Sequence, residues 1–133
     1  MEKITLEESL ILLKEKFPGF IPYWETESIN WDEQGIISQM EPFARYTIDI
    51  IKTNNLTEIK KIFAAVEFLI CNGTQTVQDG MATVYLEYLM SKDPDEIQFT
   101  TFAKYLGENS IGYCRAWDKF CGVKTKGLYE DAE

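Results

Sequence analysis

Apolar side chains recur at intervals of three and four residues along most of the chain, the spacing that places them on one face of an α-helix. The first such run spans residues 6–17 and ends before Pro18-Gly19. Residues 57–71 and 76–90 carry apolar stripes wider than the inner face of a surface helix. The pattern therefore predicts helices in all three segments, the last two being the most buried.

Capping residues and helix breakers indicate where the helices begin and end. They are Thr5 with Glu8 before the first helix, Pro42 at the start of the second, Asn55 or Thr57 before the third, Asn72-Gly73 after it, Asp93-Pro94 with Glu96 before a fifth, Gly107 after that one, and Gly122 after the last. No segment alternates over the length of a strand. The predicted fold class is all-α, with six or seven helices in a compact bundle or a short HEAT-like stack of antiparallel hairpins.

The length of 133 residues favours one domain, which we place at residues 1–122, followed by a flexible acidic tail at residues 123–133. No run of about 18 apolar residues predicts a transmembrane helix. The charged N-terminus lacks the apolar region of a signal peptide. We therefore expect a cytoplasmic protein.

The chain is acidic, with 13 Lys and Arg against 22 Asp and Glu and a net charge of -9. Such a charge repels nucleic-acid phosphates and anionic membranes, so neither is an expected partner. It would attract a basic protein and accelerate the encounter with it. The alternative is that the charge only maintains solubility.

The absence of histidine excludes Ser-His-Asp and Cys-His catalysis and every metal site that needs histidine. Cys71, Cys114 and Cys121 have no CxxC spacing, and we expect reduced, buried thiols without a metal. No glycine-rich phosphate loop is present. The sequence therefore predicts no enzyme and no cofactor.

Two lone glutamates lie inside apolar runs, Glu67 in "VEFLIC" and Glu87 in "LEYLMS". The chain has only two arginines, Arg45 and Arg115. One hypothesis pairs the buried glutamates with these arginines between helices. In the alternatives, each glutamate lies on a narrow wet edge while the arginines form local surface pairs, or the two carboxylates converge as a catalytic pair.

Residues 18–33 combine prolines and a glycine with four aromatic side chains and are predicted to be irregular. An exposed aromatic-acidic loop is a plausible binding surface. In the alternative interpretation, its aromatic residues fold back over the core. The candidate partner-binding residues are Trp24, Glu25, Glu27, Trp31, Asp32 and Glu33.

Four stretches together resemble an uncharacterised family of bacterial all-helical domains. They are "LLKEKFP" at 12–18, "IFAAVEFLI" at 62–70, "VYLEYLM" at 84–90 and "YLGENSIGYCRAWDKF" at 105–120. Some members of that family resemble immunity proteins that neutralise a toxin. The resemblance implies a glutamate in each middle helix, matched here by Glu67 and Glu87, and implies no catalytic residues.

The function expected from the sequence is non-enzymatic protein binding, such as neutralisation of a basic toxin by a monomer or homodimer. The alternatives are a structural or adaptor subunit that self-associates and, less favoured, an enzyme that uses Glu67 and Glu87.

Overall fold

A computed structural model describes residues 2–26, 40–91, 96–125 and 128. The α-helices of these residues, in chain order, are α1 (Leu6–Lys16), α2 (Ile21–Thr26), α3 (Glu41–Lys52), α4 (Leu56–Asn72), α5 (Gln75–Asp79), α6 (Glu87–Met90) and α7 (Glu108–Cys121). The only β-type contact among the described residues is an isolated bridge between Ile4 and Gly73. The all-α prediction is confirmed.

The caps expected from the sequence form at several helix ends. Thr5 and Glu8 make a reciprocal capping box at the start of α1, and the side chain of Asn55 accepts the N–H of Glu58 at the start of α4. Gly122 ends α7 with a φ of 74°, in the left-handed region that glycine adopts without steric cost. Local sequence therefore determines these boundaries.

Aromatic side chains form the centre of the core. The fully or almost fully buried ones are Phe17, Phe20, Phe43, Tyr46, Phe63, Tyr85 and Phe102. Phe43 stacks on Tyr85 with ring centroids 5.5 Å apart, and Phe63 stacks on Phe102 at 5.1 Å. The hydroxyl of Tyr85 forms a buried 2.9 Å hydrogen bond with Thr47 Oγ1, so its burial leaves no polar atom unpaired.

The helix predicted over residues 76–90 forms, but its centre is different from an ordinary α-helix. Gly80–Leu86 is π-helical and joins α5 to α6 without a break. Both Met81 and Tyr85 lie inside this segment and are fully buried. The apolar spacing of the sequence did not predict the wider turn.

Two other segments differ from the expectation. Residues 18–26, predicted as irregular, contain a 3₁₀ turn at Pro18–Phe20 followed by α2, because Pro18 is tolerated in a first helical turn. The predicted fifth helix is also wrong over its described part, where two 3₁₀ turns form at Phe99–Thr101 and Ala103–Tyr105. Two consecutive threonines there disfavour an α-helix, since β-branched side chains lose χ1 freedom in it.

The described residues of the predicted C-terminal tail contact the helical body. The buried carboxylate of Asp118 accepts hydrogen bonds from the N–H and the hydroxyl of Thr125, at 2.7 and 2.6 Å. Arg115 donates to the carbonyl of Leu128 at 2.9 Å, and the Leu128 side chain is buried. Thr125 and Leu128 therefore both lie beside α7.

Candidate functional site

Glu67 projects from α4 onto the first turn of α7. Its Oε1 accepts the N–H and the hydroxyl of Ser110, and its Oε2 accepts the N–H and the side-chain amide of Asn109, all at 2.9 Å. The first N–H groups of a helix have no partner within the helix, and the helix dipole favours a negative charge there. Glu67 is therefore an N-terminal cap supplied by a neighbouring helix.

The approach of Glu67 depends on Gly107, the residue just before α7. A Cβ atom built on Gly107 would lie 2.3 Å from Cδ of Glu67, a distance that no real contact allows. The burial of Glu67 by itself raises its pKa, but the hydrogen bonds from Asn109 and Ser110 prevail, so the net pKa is lowered. Both carboxylate oxygens already serve a structural role.

Glu87 has a different environment. Burial raises its pKa, and among the described residues its carboxylate has no hydrogen bond or ion pair. Arg45 instead pairs with Glu41 one turn earlier on α3, at 2.9 Å and in contact with solvent. Arg115 donates to the carbonyl of Leu128. Within the described part of the chain, neither Glu67 nor Glu87 forms an ion pair with an arginine. The predicted interhelical pairing of glutamate with arginine therefore does not form there.

The predicted partner-binding loop is only partly described. Trp24 lies half-buried in α2, with its ring 6.5 Å from that of Phe20 and the ammonium of Lys14 4.5 Å from its centroid. Glu25 follows it and is exposed. The remaining candidates, Glu27, Trp31, Asp32 and Glu33, lie outside the described residues.

Next to Trp24, two tyrosines hold two carboxylates at the protein surface. The hydroxyl of Tyr23 donates to Asp49 Oδ2, and the hydroxyl of Tyr46 donates to Glu58 Oε2 at 2.6 Å. The two rings meet edge to face, with centroids 5.6 Å apart. We call these four residues the tyrosine–carboxylate edge, which joins α2, α3 and the start of α4.

The pKa values of the two phenols keep them protonated, as hydrogen-bond donors to the carboxylates. The bond to Asp49 raises the pKa of Tyr23 to about 12, and burial together with the bond to Glu58 raises the pKa of Tyr46. Both phenols are therefore protonated donors at neutral pH. Among the described residues, no lysine or arginine forms an ion pair with either carboxylate. Within the described part of the chain, the edge therefore presents two oriented carboxylates that are held by phenols and not by ion pairs.

Sequence reasoning missed the tyrosine–carboxylate edge because its pairs are distant along the chain. Tyr23 and Asp49 are 26 residues apart, and Tyr46 and Glu58 are separated by 12. Neither separation matches a helical repeat. The available signal was the position of Tyr23 directly before Trp24 and Glu25, two of the predicted partner-binding residues.

The chain belongs to a family of domains of unknown function, DUF7674, whose family model matches residues 10–122. That match covers most of the helical body, including α4, α7 and the tyrosine–carboxylate edge. Searches among curated proteins and among solved structures gave no match.

Two further features bear on the kind of site. None of the described helices combines the length and the apolar character needed to cross a membrane. Within the described residues, no three histidine, cysteine or acidic side chains are grouped so as to hold a metal ion.

Proposed function

We propose that this domain is a non-enzymatic, cytoplasmic protein-binding module whose partner is a basic protein, and that it acts in bacteria as an immunity protein against a toxin. One observation carries the binding part of the proposal: the tyrosine–carboxylate edge. A carboxylate fixed by a phenol loses little side-chain entropy when a lysine or arginine of a partner reaches it. The net charge of -9 would speed the approach of a basic protein.

The position of Trp24 supports the same surface. Its ring lies in the helix that also carries Tyr23, with exposed Glu25 next to it. Aromatic side chains beside charged groups are typical of the residues that dominate binding energy in protein interfaces. The proposed contact surface is therefore the tyrosine–carboxylate edge together with Trp24 and Glu25.

The occupancy of Glu67 argues against the enzymatic alternative. A general acid or base must present at least one free oxygen to a substrate. Both oxygens of Glu67 accept two hydrogen bonds each from the start of α7. We therefore assign Glu67 a structural role.

The proposal is tested by affinity capture from a lysate of the source organism with three tagged baits: the parent, Asp49→Asn with Glu58→Gln, and a control. The control, Glu2→Gln with Glu7→Gln, removes the same number of charges from exposed positions at the start of the chain. The parent and the control should retain one basic protein that salt releases, and the double variant at the edge should retain much less. Equal capture by all three baits, or recovery of the bait alone, would contradict the proposal.

A second candidate function, self-association, is favoured by the C-terminal end of α7. Phe120 is 82% exposed and stacks on Trp117 with centroids 5.6 Å apart, and Val123 beyond them is 58% exposed. An apolar contact of this kind would be insensitive to salt. Light scattering of the parent and of Phe120→Ser tests it: a dimer that persists in high salt and dissociates in the variant would support the adaptor function.

A further inference from the structure

A cavity of about 540 Å³ lies between α1 and α4. Most of its wall is apolar, and two lysines complete it. The lining residues are Leu12, Lys16, Phe17, Lys61, Ala64, Ala65 and Phe68. Cavities of roughly 300–1,000 Å³ with an apolar wall and few polar groups are typical of small-ligand sites.

The two lysines lie toward the same end of the cavity because α1 runs back along α4. At one end, the N–H of Ile4 donates to the carbonyl of Asn72 at 2.8 Å, so the chain before α1 meets the end of α4. At the other end, the ring of Phe17 lies 6.3 Å from that of Tyr46, whose hydroxyl bonds Glu58 in the first turn of α4. Lys16, the last residue of α1, therefore lies near the beginning of α4.

The apolar end of the cavity lies further along α4. Lys61, Ala64, Ala65 and Phe68 follow the i, i+3, i+4, i+7 pattern and share one face of the helix. Seven residues of helix extend about 10 Å, which separates Lys61 from Phe68. The small alanine side chains leave the space open, and Phe68 remains 47% exposed. Covering this surface with an apolar chain would remove it from water, which is favourable.

Both ammonium groups are available to a ligand as far as the described residues show. Within the described part of the chain, neither Lys16 nor Lys61 takes part in an ion pair or a hydrogen bond. Both lysines are exposed in a protein whose net charge is -9. The cavity is therefore cationic at one end and apolar along the rest of its length.

We propose that this cavity binds a small amphipathic carboxylate, such as a medium-chain fatty acid. The carboxylate would lie between the ammonium groups of Lys16 and Lys61, and the chain would lie over Ala64 toward Phe68. Charge complementarity selects an anion, since each ammonium can form a charge-assisted hydrogen bond with a carboxylate oxygen. The single charged end selects one terminal head group. This site is independent of the tyrosine–carboxylate edge.

The test is isothermal titration calorimetry of the intact protein with three probes: decanoate, decylammonium and butyrate, each below its aggregation concentration. Decanoate should bind at one site, because it has both the head group and the chain. Decylammonium should bind at least about tenfold more weakly, since it lacks the anion that the lysines recognise. Butyrate should also bind more weakly, because it covers little of the apolar wall. Absence of decanoate binding, or equal binding of decylammonium, would overturn the proposal.

Three variants locate the site. Lys16→Gln with Lys61→Gln should weaken decanoate binding about tenfold or more, whereas Lys3→Gln with Lys60→Gln removes the same charge elsewhere and should leave it unchanged. Ala64→Leu, at an exposed position on the cavity wall, should fill the space and also weaken binding. Thermal melting shows that each variant is folded. Equal effects of the two lysine pairs, or no effect of Ala64→Leu, would exclude this cavity as the binding site.

Discussion

The change Glu67→Gln tests the structural role of the glutamate that caps α7. The substitution preserves the size of the side chain and removes its charge. One amide oxygen remains and can still accept from the N–H and hydroxyl of Ser110. The amide NH₂ of the glutamine then replaces Oε2 and faces the backbone N–H of Asn109. Both groups are donors, so this hydrogen bond is lost.

The magnitude follows from which donors water can reach. Ser110 is fully buried, whereas Asn109 is exposed and its amide can turn to solvent. The expected loss combines the weaker, uncharged bonds to Ser110 with one orphaned N–H at Asn109. It amounts to about 1.5–3 kcal/mol, the range for hydrogen bonds to a charged group, which extends above the roughly 0.5–2 kcal/mol of an ordinary helix cap.

Urea unfolding measures this loss, and Glu87→Gln is the matched control. Both variants remove one charge from a glutamate inside an apolar run. Glu87 has no bonding partner among the described residues, and burial raises its pKa, so its ionised form is disfavoured in the folded state. Glu87→Gln should leave the free energy of unfolding at neutral pH unchanged or slightly increased.

The pH dependence provides a second measurement. The pKa of folded Glu67 is lowered from its ordinary value of 4.5, so ionised Glu67 stabilises the fold fully above that value. The stability difference between the parent and Glu67→Gln should therefore be constant at neutral pH and shrink as the pH falls below 4.5 toward the folded pKa. Equal stability of Glu67→Gln and the parent, or equal losses in both glutamate variants, would refute the capping role.

Three further predictions concern other parts of the fold. Gly107→Ala should lower the free energy of unfolding in urea by about 1–3 kcal/mol, because the added Cβ would overlap the side chain of Glu67. Gly112→Ala is the control: its added Cβ would have no atom within 4 Å, so the free energy of unfolding should rise by about 0.5–1 kcal/mol. Burial raises the pKa of the Cys114 thiol to about 12, whereas Cys71 and Cys121 are exposed. A chromogenic thiol reagent at pH 8 should therefore label two cysteines in the folded protein and the third only after unfolding, as the absorbance of its product measures. Tyr85→Phe loses the buried bond to Thr47 and should lower stability by about 1 kcal/mol in thermal unfolding; an unchanged melting temperature would contradict this.

Helix ends that depend on neighbouring residues could be predicted from the sequence. The capping box of Thr5 and Glu8 and the left-handed Gly122 involve residues within one turn of each other, so the sequence pattern contains the whole interaction. The predicted fifth helix shows the limit of such signals, since its described residues form 3₁₀ turns at Phe99–Thr101 and Ala103–Tyr105. A favourable cap starts a helix only if the following residues continue it.

The candidate sites depend on contacts between distant residues and were therefore harder to predict. The sequence indicated that Glu67 is unusual, because the apolar run around it contains no cation, and it suggested an arginine as the partner. The structure supplies Asn109 and Ser110 instead, 42 and 43 residues away. The N-cap of α7 is Gly107, which has no capping side chain, so the sequence contained no signal that the start of this helix supplies the donors.

The central claim, recognition of a basic protein by the tyrosine–carboxylate edge, is tested most directly by association kinetics. Surface plasmon resonance would compare the binding of the captured basic protein by the parent and by Asp49→Asn with Glu58→Gln, at low and at high ionic strength. The association rate of the parent should fall steeply as salt is added, and the double variant should associate slowly even at low salt. Equal rates for the two proteins, or a parental rate independent of salt, would contradict the central claim.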